Sequence, residues 1–143
     1  MSQRVTDQSA IADLVARLAH LADMGGDLQE YLDCFTDDAV WEFPGNPALD
    51  LPPGRSEGRH QIAADRVRRR DDRFQGPGTG TRHLNTTLAV DVRTANTADA
   101  TSYWLFVAGG PDGPVVRAMG AYHDTFRRID GRWRLAHRRI VAG

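Results

Sequence analysis

The feature that most constrains the fold is a series of four long segments rich in β-branched and aromatic residues in the later part of the chain. They span residues 81–92, 98–108, 115–128 and 132–141. Such a composition is typical of β-strands. Turn-forming residues connect the segments, and Asp130-Gly131 is a strong signal for a tight hairpin. The segments therefore predict an antiparallel sheet built from consecutive hairpins.

Helical patterns precede these strands. The first helix is predicted to begin near Thr6 or Asp7, which are good N-caps, and to end at Gly25-Gly26. The next predicted elements are a short helix, a strand, a Pro- and Gly-rich loop and a polar helix, at residues 27–35, 39–43, 44–58 and 60–73. Helices followed by hairpins indicate an α+β fold, in which a curved sheet covers the helices and leaves a pocket at its open end.

An acidic residue lies at the end of an apolar face of the first predicted helix. On a helical wheel, Ala12, Ala16, Ala19 and Asp23 form a narrow stripe of small residues beside the main apolar stripe, so we expect burial on both. Because an unpaired buried charge is very costly, Asp23 is expected to be hydrogen-bonded, ion-paired or facing a cavity. The last arrangement would make Asp23 a candidate catalytic residue.

The composition excludes several classes of function. The net charge of −1 gives no electrostatic reason to expect nucleic acid or a membrane as a partner, and no apolar run is long enough to span a membrane. Cys34 is the only cysteine, so no internal disulfide is expected. The polar N-terminus does not resemble a signal peptide, and a cytoplasmic location is therefore expected. The chain lacks lysine, which excludes a Schiff-base lysine and a P-loop lysine.

Motifs along nearly the whole chain resemble one family. The motifs are Leu21-Ala22-Asp23, Tyr31 to Trp41, Glu57-Gly58-Arg59, Arg82 to Thr87, Gly120 to Phe126 and Asp130 to Leu135. In this order and spacing they resemble the SnoaL-like family of the nuclear transport factor 2-like superfamily. The resemblance implies a single domain over residues 1–143. It also implies a cone-shaped α+β fold, in which a curved antiparallel or mixed sheet wraps around about three N-terminal helices.

The resemblance also implies a catalytic pair. Members such as scytalone dehydratase, bile acid 7α-dehydratase and hexachlorocyclohexane dehydrochlorinase use an acid at the end of the first helix and a histidine on the strand after the third. The matching residues are Asp23 and His83. The chain departs from two of these members, because Leu18 lies near the position of the dehydrochlorinase lysine and Ala22 replaces a tyrosine of scytalone dehydratase. Such a dyad needs no cofactor: the acid orients the imidazole, and the histidine moves the proton.

Strand alternation separates the residues around His83 into two faces. His83, Asn85 and Thr87 share a polar face, which fits a pocket-facing or a solvent-facing strand. The opposite face carries an apolar row that needs cover, namely Leu84, Leu88, Val90 and Val92. The resemblance implies that paired sheets supply this cover, so a homodimer or homotrimer is expected.

Asn85, on the same face as His83, is a candidate for binding a substrate, and so are Tyr122, Trp41 and Arg138. Tyr122 could donate a hydrogen bond to a substrate oxygen or pack as a half-buried core residue, and Trp41 is a candidate pocket wall or core residue. Arg138 and Arg139 point to opposite faces of the last strand, so one would point inward, and Arg138 is taken as that residue. An inward arginine could bind a carboxylate or an enolate-like oxygen.

Two further hypotheses arise from charged residues. His60, His123 and His137 could be combined with His83 into a metal site, but no pair has a recognised ligand spacing, so no metal is expected. The arginine-rich run at 66–73 is interleaved with acids, which favours a solvated helix face over a nucleic-acid surface.

Together with these residues, the resemblance implies an enzyme of the dehydratase, isomerase or cyclase type. It would work without a cofactor, through proton abstraction and then elimination or isomerisation, on a small hydrophobic ring or a polyketide- or steroid-like molecule. A non-catalytic ligand-binding or assembly module, such as the small subunit of a ring-hydroxylating dioxygenase, is the alternative.

Overall fold

The computed structural model describes residues 2–143. Its helices are α1 (Gln3–Asp23), α2 (Leu28–Asp33) and α3 (Arg59–Asp71). Its strands are β1 (Phe35–Phe43), β2 (Gly54–Glu57), β3 (Thr81–Val92), β4 (Thr97–Gly110), β5 (Gly113–Ile129) and β6 (Arg132–Ala142). The four predicted C-terminal strands agree with β3 to β6 within two residues at each end.

The six strands form one sheet in the order β2-β1-β6-β5-β4-β3. All neighbours are antiparallel except β1 and β6, which run parallel, so the sheet is mixed. Helix α1 packs across β3 and β6, and α3 packs against β1 and β2. The prediction of an α+β fold, with a curved sheet around N-terminal helices, is confirmed.

The main core lies between α1 and the inner face of the sheet. Its buried residues include Ile11, Val15 and Leu18 of α1, and Phe126 and Leu135 of the sheet. The three α1 residues belong to the main apolar stripe that the sequence predicts for the first helix. The second stripe is less buried than predicted, because Ala16 is exposed to solvent.

A β-bulge at Thr87 divides β3 into halves of opposite alternation. Thr87 has a left-handed backbone with φ of 54°, and the pairing of β3 with β4 shifts between Thr86 and Ala89. Thr87 is therefore exposed. Three side chains that were predicted to point outward instead pack against the main core, namely Leu88, Val90 and Val92. The predicted alternation was wrong from Thr87 onward, because one extra residue turns the following side chains to the other face.

Two local predictions in the first 60 residues of the chain were also wrong. Helix α1 begins earlier than predicted, because the Ser2 side chain accepts a hydrogen bond from the backbone N–H of Val5 and caps the helix. Asp7 is instead buried, where it accepts hydrogen bonds from Arg128 and Trp133. The predicted loop at 44–58 contains β2, which pairs with β1 from Val40 to Phe43.

Within residues 2–143, none of the helices is both long and apolar enough to cross a membrane.

Gly120 allows β5 and β6 to pass close to the indole ring of Trp104. A Cβ atom at this position would overlap the carbonyl oxygen of Val141 and lie 2.7 Å from the Trp104 ring. We expect Gly120→Ala to lower the free energy of unfolding by about 1–3 kcal/mol, because the backbone atom cannot move away without disturbing the sheet. Urea denaturation measures this loss.

The matched control is Gly109→Ala on β4, where an added Cβ would meet no atom within 4 Å. We expect its effect to stay within about 0.5 kcal/mol. Equal losses for the two variants would contradict the close approach at Gly120.

Candidate active site

A cavity of about 640 Å³ lies between the inner face of the sheet and helices α1 and α3. Its volume is within the range of about 300–1,000 Å³ that is typical of small-molecule sites. Most of its wall is apolar, with Leu18, Trp41, Phe74, Trp104, Phe106 and Ile140 among the lining residues. A mainly apolar ligand of a few rings would fit such a space.

Asp23 and His83 are in direct contact beside this cavity. The His83 Nδ1 atom lies 2.9 Å from Asp23 Oδ1, and the backbone N–H of His83 donates to Asp23 Oδ2 at 2.6 Å. The Asp23 side chain is 3% exposed and that of His83 is 19% exposed. Asp23 is therefore hydrogen-bonded behind His83, and of the two it is His83 that lines the cavity.

Hydrogen bonds determine the charge state of Asp23. Burial opposes its charge, but hydrogen bonds from His83 and Gln75 outweigh burial and lower the pKa of the Asp23 carboxyl below its ordinary value. An ionised Asp23 can only accept, so His83 Nδ1 carries the hydrogen of their bond. In a neutral His83 the unprotonated nitrogen is then Nε2, which can accept a proton from a ligand.

Arginines of α3 hold the end of α1 that carries Asp23. Arg66 Nη2 donates to the carbonyl oxygens of Leu21 and Gly26 at 3.0 and 3.3 Å, and Arg70 Nη2 donates to that of Leu21 at 2.7 Å. The last carbonyls of a helix attract cations in this way. The prediction that the arginine-rich run is simply a solvated face was therefore wrong for Arg66, which is buried.

A second wall of the cavity consists of stacked aromatic rings around Arg138. The Arg138 guanidinium lies 3.8 Å from the ring centroid of Tyr122 and 5.0 Å from that of Trp41. Tyr122 in turn stacks on Trp104, with centroids 6.0 Å apart. Of the two adjacent arginines, Arg138 points inward, whereas Arg139 is exposed.

Asp124 neutralises Arg138 inside the fold. Both Nε and Nη2 of Arg138 donate to the Asp124 carboxylate at 2.8 Å, and both side chains are buried. A bidentate pair of this geometry fixes the guanidinium plane. Burial raises the pKa of the neighbouring Tyr122 to about 12, so its hydroxyl keeps its hydrogen at neutral pH and can donate to a ligand.

Asn85 and Phe106 complete the surroundings of His83. Asn85 lines the cavity from the same strand as His83, before the bulge at Thr87. The Phe106 ring packs on the imidazole with centroids 4.9 Å apart. In the part of the chain that the structure describes, no three His, Cys, Asp or Glu side chains are grouped to hold a metal ion.

Sequence reasoning missed Gln75 and Asp124 as neighbours of the site. Gln75 lies in a Gly- and Pro-rich segment that predicts only a break, and no local pattern indicates its contact with Asp23. Asp124 shares the inward face of β5 with Tyr122, so the burial of Asp124 could be predicted from strand alternation. Its ion pair with Arg138 of β6 could not be predicted, because it depends on the register of the two strands.

Similarity to known proteins assigns the family of this chain. The model of the SnoaL-like domain matches residues 3–139. The chain belongs to the SnoaL-like family. Its fold is that of nuclear transport factor 2-like proteins, as in a structure from Novosphingobium aromaticivorans with a TM-score of 0.77 and 23% identity, covering 98% of this chain and 84% of that one. No curated protein matches the sequence.

Two other solved structures are similar to this chain. A Catenulispora acidiphila protein in complex with S-DNPA is 27% identical, with a TM-score of 0.73 over 96% of this chain and 94% of that one. A candidate scytalone dehydratase from N. aromaticivorans is 18% identical, with a TM-score of 0.73 over 98% and 86%. At this identity the second likeness shows the fold alone.

The lowered pKa of Asp23 predicts that part of the stability is lost in acid. Because the folded pKa lies below the unfolded value of about 3.9, the carboxylate stabilises the fold fully above that value and loses this contribution as the pH falls through the folded pKa. We expect Asp23→Asn to lower the free energy of unfolding by about 1–3 kcal/mol at neutral pH, and this difference should shrink below about pH 4. Urea denaturation across this range measures it.

The control is Asp13→Asn on the same helix, where an exposed Asp13 pairs with Arg17. Exposed pairs contribute about 0.2–1 kcal/mol, so the control should have a small effect. A loss for Asp23→Asn that stays constant with pH would show that its ionisation does not stabilise the fold.

Proposed function

We propose that this SnoaL-like protein is a cofactor-independent lyase or isomerase that removes a proton from the carbon next to a carbonyl group. The observation that supports this most is the position of His83, which lines a largely apolar cavity while a buried, ionised Asp23 holds its Nδ1 atom. The cavity favours a small, mainly apolar ring molecule as the substrate. Asp23 and His83 are the proposed catalytic pair.

In the first proposed step, His83 Nε2 takes the proton from the α-carbon, and the bonding electrons move towards the carbonyl oxygen to give an enolate. The imidazolium that forms donates to Asp23 through Nδ1, and the carboxylate stabilises its positive charge. The Tyr122 hydroxyl and the Arg138 guanidinium are the proposed partners of the enolate oxygen, because both line the cavity as donors. Trp41 and Asn85 are proposed to contact the substrate ring.

In the second proposed step, a hydroxyl group on the β-carbon leaves. The enolate electrons form the new carbon–carbon double bond, the carbon–oxygen bond breaks, and His83 returns its proton to the departing hydroxide to give water. Where no leaving group is present, return of the proton to another carbon moves a double bond instead.

A non-catalytic assembly module is the second candidate. The beta subunit of a candidate ring-hydroxylating dioxygenase from N. aromaticivorans has the same fold, at 21% identity and a TM-score of 0.73, covering 99% of this chain and 92% of that one. An assembly role leaves the buried Asp23 against a cavity-lining histidine without a purpose, which favours the enzyme. Copurification with a large iron-containing chain would support the module.

The test uses β-hydroxy-α-tetralone, a bicyclic β-hydroxy ketone that loses water to give the fluorescent α-naphthol. We expect His83→Gln to lower kcat/KM by about 100- to 10,000-fold, because the proton acceptor is lost while the side-chain shape is kept. Exchange of the α-hydrogens of β-tetralone in deuterium oxide, followed by NMR, measures the first step alone.

The matched control is His137→Gln, since His137 pairs with Glu42 away from the cavity lining. It should keep the rates of the unchanged protein. If His83→Gln reacts as fast as the protein without substitutions, the assignment of His83 as the base is contradicted. If the protein without substitutions accelerates neither reaction, this counts against proton abstraction from ring ketones.

We also propose that the outer face of the sheet pairs with a second copy of the chain, as the family resemblance implies. Three apolar side chains on neighbouring strands are 49%, 55% and 58% exposed there, namely Leu84, Tyr103 and Met119. Leu105 lies between Leu84 and Met119 in the strand register, so the apolar surface is continuous across β3, β4 and β5. Such patches are typical of protein interfaces.

We expect Tyr103→Arg to shift the protein from an oligomer to a monomer in sedimentation velocity at micromolar concentration, because it places a charge inside the proposed interface. Ala64→Arg, at an exposed position of α3 and not on the outer face of the sheet, is the control. A monomer before any substitution would contradict the proposed pairing.

A further inference from the structure

Gln75 is a buried amide that contacts both members of the proposed catalytic pair. Its Nε2 atom lies 3.1 Å from Asp23 Oδ1 and 3.2 Å from His83 Nδ1, and the residue is 7% exposed. It follows α3 and precedes β3, so it fills the corner where the chain turns from the helix to the strand of His83. A polar side chain in this corner must satisfy its hydrogen bonds within the protein.

Arg69 determines which way the Gln75 amide faces. The Arg69 Nε–H donates to Gln75 Oε1 at 3.0 Å. Because a guanidinium can only donate, the amide oxygen must point to Arg69 and the NH2 group must point to Asp23. The NH2 group then donates to Asp23, and Asp23 in turn accepts the Nδ1 hydrogen of His83.

We propose that Arg69 and Gln75 are positioning residues that orient the Asp23 carboxylate, so that it accepts the hydrogen of His83 Nδ1 and leaves Nε2 as the proton acceptor. The consequence for turnover rests on the proposed function of His83. The orientation itself does not, since it can be measured on the protein without any substrate.

The other charged groups around the pair have hydrogen-bond partners other than Asp23 and His83. Arg66 and Arg70 of α3 donate to backbone carbonyls at the end of α1. On β5 and β6, Arg138 is paired with Asp124, beside a Tyr122 that keeps its hydrogen. The neighbour of His83 on β4 is the uncharged ring of Phe106, with the two ring centroids 4.9 Å apart. Gln75 therefore connects the Asp23–His83 pair to the charged guanidinium of Arg69 by hydrogen bonds.

The decisive variant is Gln75→Glu, which keeps the shape but replaces the NH2 donor with a carboxylate oxygen. A second negative charge beside the imidazole stabilises its protonated form. We expect the midpoint of the His83 titration, followed by NMR of the imidazole Cε1–H, to rise by about one pH unit. The His83→Gln variant identifies this signal among those of the five histidines. The acid limb of the kcat/KM profile for β-hydroxy-α-tetralone should move in the same direction.

Two further variants keep the test sharp if Gln75→Glu does not fold. We expect Gln75→Leu and Arg69→Leu each to replace the single Nδ1–H tautomer of His83 by a mixture, seen in the imidazole nitrogen chemical shifts. Because the two residues act through the same amide, the double variant should be no more altered than either single one. The control is Arg68→Leu, which removes the same charge from the same helix but pairs with Asp65. It should leave the tautomer unchanged.

The NMR measurements test the positioning role, and the turnover assay tests the proposed function. An unchanged His83 midpoint in folded Gln75→Glu, or an unchanged tautomer in folded Gln75→Leu and Arg69→Leu, would overturn the positioning role. The expected NMR changes support that role even if the tetralone is not turned over, a result that would count only against the proposed function.

Discussion

The site depends on one carboxylate that joins a helix to a strand. Asp23 ends α1, and its two oxygens accept hydrogens from the ring and from the backbone of His83 on β3. The contact therefore sets both the position of the strand and the orientation of the imidazole. Because the carboxylate is buried, each hydrogen bond it accepts also keeps it ionised.

Arginine supplies the fixed positive charges in a chain without lysine. Its planar group presents several donors in one plane, so one side chain can bind carbonyl oxygens, a carboxylate or an amide while packing on a ring. Arg66 binds the end of α1 and lies over the Tyr31 ring, and Arg138 binds Asp124 between Trp41 and Tyr122. These arginines hold the walls of an apolar cavity in place.

Sequence reasoning was successful where the signal is local and periodic. Strand composition and turn residues predicted β3 to β6, and the pattern of helix one predicted the buried face that contains Ile11 and Leu18. The suggestion that Asp23 and His83 meet came from a family resemblance, because nothing local relates residues 60 positions apart. The bulge at Thr87 was not predicted, and with it the direction of Leu88, because one inserted residue leaves no clear mark in composition.

The sequence by itself determined the three helices and every strand except β2, since hydrophobic periodicity and turn residues act within a few neighbouring positions. It also determined that a buried acid at the end of α1 would need a partner. Only the tertiary structure decided that the partners of Asp23 are His83 and Gln75, and that the inward arginine is neutralised by Asp124. These contacts depend on sheet register, on one bulge and on how α3 lies against α1, and each of these results from packing the whole chain.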